Sequence, residues 1–283
     1  MKKIGFIGTG IMGQSMVKNL MRAGFELYIY SRTKEKALEL INMGATWCNS
    51  IEELSKGKDA IITIVGYPSD VESVYDTLLH YTDKSCYLID MTTSSPALAK
   101  TIYEKAKAKG IYALDAPVSG GKTGAAHAKL TIMVGGDKEA FDACMPVFEA
   151  MGTSINHIGG AGAGQITKAA NQIAIAGALA GVCEAITIAK KTGLDPEKVV
   201  NAISGGAAGS FQLTHNAKPM LNDEMAPTFY LKHYVKDLKI AQSTAEDSNA
   251  TLPVLQKVLQ MFAELEANGE GDYGTQALIH HYK

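Results

Sequence analysis

The sequence predicts an α/β fold, with a doubly wound parallel sheet in residues 1–161 and an all-α domain in residues 162–283. Up to about residue 160, short apolar runs alternate with segments of helical periodicity, which is typical of a parallel sheet covered by helices. From Gln165 to Lys191 the chain is alanine-rich and apolar nearly all round, which predicts one long, largely buried helix. The helical pattern then continues, with Asp195-Pro196-Glu197 opening one helix and Leu252-Pro253 the last.

The predicted sheet consists of apolar runs of strand length. They are Ile4–Ile7, Glu26–Tyr30, Ala60–Val65, Cys86–Asp90, Ile111–Asp115, Leu130–Val134 and Ser154–Ile158. Helical periodicity between them predicts helices over Ile11–Ala23, Pro96–Lys109 and Lys138–Met151. Because doubly wound sheets bind ligands at the carboxyl ends of their strands, we expect functional side chains in the loops over residues 66–69, 91–95 and 116–121.

A glycine-rich turn joins the first predicted strand to the first predicted helix. Gly8, Gly10 and Gly13 form a G-x-G-x-x-G pattern there. The first glycine allows a tight turn, the second lets the backbone approach a pyrophosphate, and the third lets helix and strand pack closely. The phosphates would lie at the positive end of the helix. This context predicts a Rossmann domain whose cofactor-binding turn comprises Gly8, Thr9, Gly10, Ile11, Met12 and Gly13.

The residues after the second strand predict which dinucleotide is bound. NAD-selective folds usually carry an acid there for the ribose 2′-hydroxyl group. This chain has Ser31, Arg32 and Thr33, followed by Lys34. Hydroxyl groups, a guanidinium and an ammonium attract a 2′-phosphate, so we expect NADP(H) as the preferred cofactor, with NAD(H) as the second. The alternative is that Arg32 and Lys34 are ordinary solvated charges.

Composition excludes several other classes of function. The formal net charge of -2 leaves no electrostatic footprint for nucleic acid. Cysteines are scattered without a C-x-x-C pair, so neither a metal site nor a disulfide framework is predicted, and a reducing cytosol fits best. They are Cys48, Cys86, Cys144 and Cys183. The apolar run Ile173–Cys183 is too short to span a bilayer. We therefore expect a cytoplasmic protein that binds neither membranes nor metals.

Two groups of residues are candidates for catalysis and substrate binding. Lys168 begins the long apolar helix, where desolvation and the helix dipole lower a lysine pKa toward the range useful for acid/base chemistry. Asn171 and Gln172 follow on the same face of that helix. Ser119-Gly120-Gly121 follows a strand and offers backbone N–H groups and a hydroxyl group to a carboxylate. The alternatives are a surface lysine and a plain flexible turn.

Together these segments resemble the β-hydroxyacid dehydrogenases, which include 3-hydroxyisobutyrate dehydrogenase, tartronate semialdehyde reductase and the glyoxylate/succinic semialdehyde reductases. The resemblance runs in order along essentially the whole chain. It is carried by Gly5–Gly13, Asp90-Met91-Thr92-Thr93, Asp115–Gly121, Gly162–Gln172 and Lys236-Asp237-Leu238. It implies an N-terminal Rossmann domain, a C-terminal helical domain, and a homodimer or homotetramer that shares the helical domains.

The resemblance also implies roles for individual residues. Lys168 matches the catalytic lysine, and Ser119 and Gly120, with the Gly121 backbone beside them, match the clamp on the substrate carboxylate. Thr93 and Lys236 match positions that touch the nicotinamide half of the cofactor, and Val65-Gly66 matches a loop along the cofactor where the family often has Leu-Pro.

The amides beside the lysine depart from the family pattern. Asn171 matches the amide position, but many members carry a second asparagine where this chain has Gln172, so which amide meets the substrate hydroxyl group stays open. The related 6-phosphogluconate dehydrogenases are much longer and carry a histidine in place of Asn171, which argues against that activity.

The implied reaction is hydride transfer between NADP(H) and a small carboxylate-bearing aldehyde or hydroxy acid, with Lys168 as general acid/base. Two alternatives remain at this point. One is a non-catalytic NADP-binding scaffold protein, which the presence of Lys168 argues against. The other is a dehydrogenase of a larger or decarboxylating hydroxy-acid substrate.

Overall fold

The computed structural model describes residues 1–282, which form two compact units. The first unit comprises Met1–Lys168, and the second begins at Ala169. The long helix Ala163–Lys191 runs across this division, so its first turns belong to the first unit. The domain boundary expected between residues 161 and 162 lies just before this helix.

The first unit is built from nine strands and seven helices that precede the long helix, which we name α8. The strands are β1 (Lys3–Ile7), β2 (Glu26–Tyr30), β3 (Thr46–Trp47), β4 (Ala60–Thr63), β5 (Tyr87–Asp90), β6 (Tyr112–Asp115), β7 (Val118–Ser119), β8 (Leu130–Gly135) and β9 (Gly152–Gly159). The helices are α1 (Ile11–Arg22), α2 (Leu38–Asn42), α3 (Ile51–Ser55), α4 (Pro68–Tyr81), α5 (Pro96–Ala108), α6 (Gly121–Ala126) and α7 (Lys138–Glu149).

The sheet has the strand order β3-β2-β1-β4-β5-β6-β8-β7, with β9 paired to β8. Its first six strands are parallel in the order of a dinucleotide-binding fold, which confirms the predicted doubly wound sheet. One edge differs, because β8 runs antiparallel to β6 and β7. The connection over residues 120–129 contains only the short helix α6, whereas a parallel return needs a longer crossover. The two-residue strands β3 and β7 are too short for hydrophobic periodicity to predict.

Both faces of the sheet are covered, so its central strands are apolar throughout. All residues of β4 are buried, as are all but the first of β1. Successive side chains point to opposite faces. Ile4 and Phe6 therefore join one core cluster, and Ile7 and Ile61 join the other. This arrangement leaves the carboxyl ends of the strands, with their loops, as the place for polar chemistry.

The second unit is helical. After α8 come α9 (Pro196–Ser204), α10 (Phe211–Asn222), α11 (Leu231–Asp247) and α12 (Pro253–Ala267), followed by 3₁₀ segments at Glu270–Asp272 and Thr275–Tyr282. Between residues 169 and 282 the only β-type pairing is one isolated bridge, from Tyr230 to Gly274, so the predicted all-α domain is confirmed. Asp195 caps α9 as its position predicts, since its Oδ1 accepts hydrogen bonds from the N–H groups of Glu197 and Lys198 at 2.9 and 3.3 Å.

Within residues 1–282, α8 is the one helix that is long and apolar enough to cross a bilayer, judged by length and composition alone. The sequence analysis judged the uninterrupted apolar run Ile173–Cys183 too short to span a bilayer. The helix that contains this run is longer, with 29 residues. Of its most apolar window, 39% is buried inside the chain. Core helices of globular proteins pass the same test, and Ala176, Leu179 and Cys183 do lie in the core of the second unit. A single helix of this kind is weak support for a membrane span.

Candidate active site

The glycine turn between β1 and α1 has the geometry that a dinucleotide needs. Gly8 has φ +104°, and a Cβ there would lie 2.1 Å from the Ile64 carbonyl oxygen. A Cβ on Gly13 would lie 1.9 Å from the Gly8 carbonyl oxygen, so only glycine permits this contact between turn and helix. A Cβ on Gly10, by contrast, would meet no other part of the described chain within 4 Å.

Gly10 is also the N-cap of α1, and among residues 1–282 no side chain caps this end of the helix. The backbone N–H groups of the first turn, at Ile11, Met12 and Gly13, are therefore available to an anion at the positive end of the helix. Thr9 is fully buried, and its hydroxyl group has no hydrogen-bond partner in the described chain. The open space at Gly10 and the uncapped helix end fit a pyrophosphate.

Arg32 lies at the end of β2, with 81% of its side chain exposed. Its Nη1 lies 3.1 Å from Oδ1 of Asp70, in the first turn of α4. The other carboxylate oxygen of Asp70 accepts a hydrogen bond from the Tyr67 N–H at 3.1 Å. Ser31 is half-buried and Thr33 is exposed. Asp70 is thus the ion-pair partner of Arg32, and the sequence analysis did not identify it because it lies in α4, 38 residues further along the chain.

The loops after β4 and β5 are tied to each other. The Val65 N–H donates to the Thr92 hydroxyl group at 3.0 Å. Asp90, at the end of β5, accepts from the Thr63 hydroxyl group at 2.8 Å and from the Thr92 N–H at 3.1 Å, in both cases through Oδ1. Burial raises the pKa of Asp90 from its usual 3.8 to about 6. Gly66 and Thr93, two further expected cofactor contacts, are half-buried in these loops.

The start of α8 is held by Asp115, at the end of β6. Its Oδ1 accepts a hydrogen bond from the Gly162 N–H at 2.7 Å, and its Oδ2 accepts one from the Gln165 N–H at 2.9 Å. Asp115 is 5% exposed, and burial raises its pKa to about 6, although the hydrogen bonds from Gly162 and Gln165 act in the opposite direction. A Cβ on Gly164 would lie 2.5 Å from the Asp115 carbonyl oxygen, so the close approach of helix and strand requires glycine there.

The Gln165 side chain ties the same turn to the loop after β5. Its Nε2 donates to the Thr92 carbonyl oxygen at 2.8 Å, and its Oε1 accepts from the Ser94 N–H at 2.9 Å. These two bonds bracket Thr93. Lys168 follows one turn later on α8 and is 7% exposed, so it is buried and is not the surface lysine of the alternative.

Ser119, Gly120 and Gly121 lie where β7 ends and α6 begins. Ser119 is half-buried, whereas both glycines are exposed. Gly120 has φ +126° and Gly121 has φ +59°, a backbone that side chains with a Cβ rarely adopt. The backbone at both positions therefore favours glycine, and both glycines are exposed to solvent.

In the second unit, the amides of Asn171 and Gln172 belong to one hydrogen-bonded chain. Gln172 Nε2 donates to Oδ2 of Asp237 at 2.6 Å, and Gln172 Oε1 accepts from Nδ2 of Asn171 at 2.8 Å. Gln172 and Asp237 are both 2% exposed. The Tyr234 hydroxyl group, also buried, donates to the Gln172 carbonyl oxygen at 2.9 Å, which joins α11 to α8. Asp237 is thus the buried partner of Gln172, a contact that the sequence analysis did not predict.

Lys236 lies beside this chain on α11. Its Nζ is 3.1 Å from Oδ1 of Asp237, and only 12% of its side chain is exposed. It is therefore not the solvated surface lysine that its sequence context alone would suggest. Both polar atoms of the Gln172 side chain have protein partners, whereas the Asn171 amide retains its oxygen for other contacts.

The first unit combines a dinucleotide-binding turn with a buried lysine, as in the class of nicotinamide-dependent oxidoreductases that act on CH–OH groups. Two family models match. Residues 3–159 match the NAD-binding domain of 6-phosphogluconate dehydrogenase, and residues 162–282 match the NAD-binding domain of NADP-dependent 3-hydroxyisobutyrate dehydrogenase. The chain belongs to the β-hydroxyacid dehydrogenase family.

Relatives and solved structures agree with this assignment. The chain is 50% identical over 280 residues to an uncharacterized oxidoreductase, YkwC, of Bacillus subtilis, covering 98% of this chain and 97% of that protein. It is 43% identical to the probable mitochondrial 3-hydroxyisobutyrate dehydrogenase-like 1 of Arabidopsis thaliana, covering 98% and 84%. The structure of Mycobacterium tuberculosis 3-hydroxyisobutyrate dehydrogenase with L-serine superposes with a TM-score of 0.92 at 31% identity, covering 99% and 98%.

Proposed function

We propose that the protein interconverts a small β-hydroxy acid and its semialdehyde, with NADP(H) as its preferred cofactor and Lys168 as the general acid/base. The observation that carries this proposal is the burial of Lys168 on a turn of α8 that Gln165 ties to the loop around Thr93. A lysine this far from solvent, at the strand ends where such sheets bind ligands, suits proton transfer.

The cofactor is held by residues of the first unit. The turn from Gly8 to Gly13 binds the pyrophosphate, Arg32 with Ser31 and Thr33 meets the 2′-phosphate, and the loops at Val65-Gly66 and Thr93 lie along the nicotinamide half. Lys236 of the second unit is proposed for the same half. When bound, the nicotinamide supplies or accepts the hydride.

The chain's own residues orient the substrate and move the proton. The Ser119 hydroxyl group and the backbone N–H groups of Gly120 and Gly121 bind its carboxylate. Lys168 Nζ donates a proton to the carbonyl oxygen during reduction and takes one from the hydroxyl group during oxidation. Asn171, rather than Gln172, is the amide proposed to meet the substrate, because Gln172 already bonds Asp237 and Asn171.

A substrate screen tests this proposal. NADPH oxidation is followed with glyoxylate, succinic semialdehyde, tartronate semialdehyde and methylmalonate semialdehyde, and with propionaldehyde as a control that lacks the carboxylate. We expect turnover with at least one of the acids and little with propionaldehyde. Turnover of propionaldehyde as fast as that of the acids would overturn the clamp at Ser119, and no turnover of any acid would overturn the proposed function.

We also propose a homodimer or homotetramer located in the cytoplasm. The family resemblance supports this proposal, and Ile188 on α8 and Leu194 just after it, which are 62% and 59% exposed, are candidates for the contact between subunits. All four cysteines are free and buried, as suits a reducing compartment. Sedimentation velocity tests the first part, and a monomer at micromolar concentration would contradict it.

A further inference from the structure

The buried carboxylate of Asp115, at the end of β6, binds the start of the neighbouring helix α8. Both of its oxygens are used, and both accept from backbone N–H groups at the start of α8, those of Gly162 and Gln165. An ionised carboxylate can only accept hydrogen bonds, so it suits this pair of donors, and such charge-assisted bonds are stronger than neutral ones. The end of β6 and the first turn of α8 are therefore joined through a single side chain.

A second contact joins the same turn to the loop after β5. Gln165 receives the Asp115 bond on its backbone and places its side chain between the Thr92 carbonyl oxygen and the Ser94 N–H. Asp115, Gln165, Thr92 and Ser94 are all at most 5% exposed. Because these hydrogen bonds are shielded from water, small displacements of the turn leave buried polar groups unpaired.

Lys168 lies one turn further along α8, so the position of this first turn determines the position of Lys168. A rigid helix transmits the placement of its first turn to the next, and reacting groups are sensitive to displacements of an ångström. We propose that Asp115 is a positioning residue for Lys168, acting through the main chain of α8, with Gln165 as the second point of attachment. This inference rests on the proposed function, since it gives Lys168 a proton to transfer.

Asp90 provides a matched control for Asp115. The two residues are paired in register at the ends of β5 and β6, both are buried, and burial raises the pKa of each to about 6. They differ in how the carboxylate is used. Asp90 accepts from the Thr63 hydroxyl group and from the Thr92 N–H through the same oxygen, Oδ1, so an asparagine whose amide oxygen takes that place keeps both bonds. In Asp115→Asn, an NH₂ group must face one of two N–H donors.

The test compares Asp115→Asn with Asp90→Asn in the full-length enzyme. Single-turnover NADPH oxidation by Asp115→Asn should fall by about 10²-fold, the order expected when a reacting group is misplaced. NADPH affinity should be unchanged. The solvent isotope effect should increase, because a displaced lysine makes proton transfer rate-limiting, and a loss of stability alone would not change it. Asp90→Asn should resemble the parent in all three measurements.

Backbone hydrogen exchange over residues 162–168 provides a readout that needs no substrate. It should be faster in Asp115→Asn than in the parent and unchanged in Asp90→Asn. Should Asp115→Asn not fold, Gln165→Met serves instead, because it keeps the Asp115 bond to the backbone and removes only the contacts with Thr92 and Ser94. We expect it to show the same changes to a smaller extent.

Exchange equal to that of the parent in both variants would overturn the proposal, and so would faster exchange with an unchanged single-turnover rate and isotope effect. An inactive parent would instead count against the proposed function. In that case the exchange comparison still decides whether Asp115 holds the turn.

Discussion

Each unit of the molecule contains one buried aspartate–glutamine pair, and the two pairs act on different parts of the chain. In the first unit, Asp115 binds backbone N–H groups, including that of Gln165, and so fixes where a helix begins. In the second, Asp237 binds the side-chain amide of Gln172 and so fixes which way that amide faces. A carboxylate that binds main-chain N–H groups fixes the position of the helix. A carboxylate that binds a side-chain amide fixes which way the NH₂ group and the oxygen of that amide point.

The orientation of the Gln172 amide determines the orientation of the Asn171 amide beside it. Because Oδ2 of Asp237 accepts from Gln172, the Gln172 side chain turns its NH₂ group toward Asp237 and its oxygen toward Asn171. Asn171 then presents its own NH₂ group to Gln172, which leaves the Asn171 side-chain oxygen outside this series of bonds. Many family members have asparagine at position 172, and its side chain is one methylene group shorter than that of glutamine. The longer side chain of Gln172 reaches Asp237, so this departure from the family pattern couples α8 to α11.

The largest effect is expected from Gln172→Glu. This substitution places a second carboxylate where Gln172 Nε2 lies 2.6 Å from Asp237, in a site that is 2% exposed. An uncompensated buried charge costs about 3–5 kcal/mol, and we expect a loss of that order in the free energy of unfolding. Adding Asp237→Asn restores a donor opposite the new carboxylate and should recover most of the loss. Urea unfolding of the parent, both single variants and the double variant measures these free energies. If the effects of the two substitutions were additive, the proposed orientation of the amides between Asp237 and Asn171 would be contradicted.

A smaller effect is expected at the surface, where Asp70 holds Arg32. Arg32→Ala should weaken NADPH binding by about tenfold or more and leave NADH binding nearly unchanged, because a partly exposed guanidinium–phosphate contact contributes about 1.5–3 kcal/mol. Asp70→Asn is the matched variant, since it removes the competing carboxylate and should strengthen NADPH only. Fluorescence titration measures both cofactors, and equal affinities of the parent for NADPH and NADH would contradict the preference.

The smallest effect is expected at Asp90, which lies buried at the end of β5. Its pKa in the folded protein, about 6, lies above the unfolded value, so its contribution to stability is fully present below the unfolded pKa and is lost as pH rises through 6. Asp90→Asn does not titrate. Relative to the parent it should therefore gain about 1–2 kcal/mol between about pH 5 and about pH 8. Unfolding at both pH values measures this gain, and a constant difference would show that Asp90 does not titrate in this range.

Local patterns in the sequence were enough to predict the parts of the site that are local in space. Gly8, Gly10 and Gly13 lie within one turn, and each has the environment that its place in the motif requires. Most strands and helices, the doubly wound sheet and the helical second domain were likewise predicted from periodicity and family resemblance.

The carboxylates that organise the site were not predicted, because their partners are distant in sequence. Asp115 and Gln165 are separated by 50 residues, and Gln172 and Asp237 by 65. Asp115 and Asp237 stand in recognised motifs, yet nothing in the motifs says what their oxygens bind. The antiparallel β8 edge was missed for a related reason, since the direction of a strand depends on where its connection lies and not on its own residues.

The central claim is that Lys168 transfers the proton from a turn that Asp115 and Gln165 hold in place. The most direct measurement is single-turnover NADPH oxidation by Lys168→Ala at saturating substrate. We expect a loss of about 10²–10⁴-fold, the contribution of a positioned general acid, with NADPH binding retained. Lys168→Arg should not restore the rate, because a guanidinium keeps its proton near neutral pH. A rate for Lys168→Ala within about threefold of the parent, far inside that expected loss, would contradict the claim.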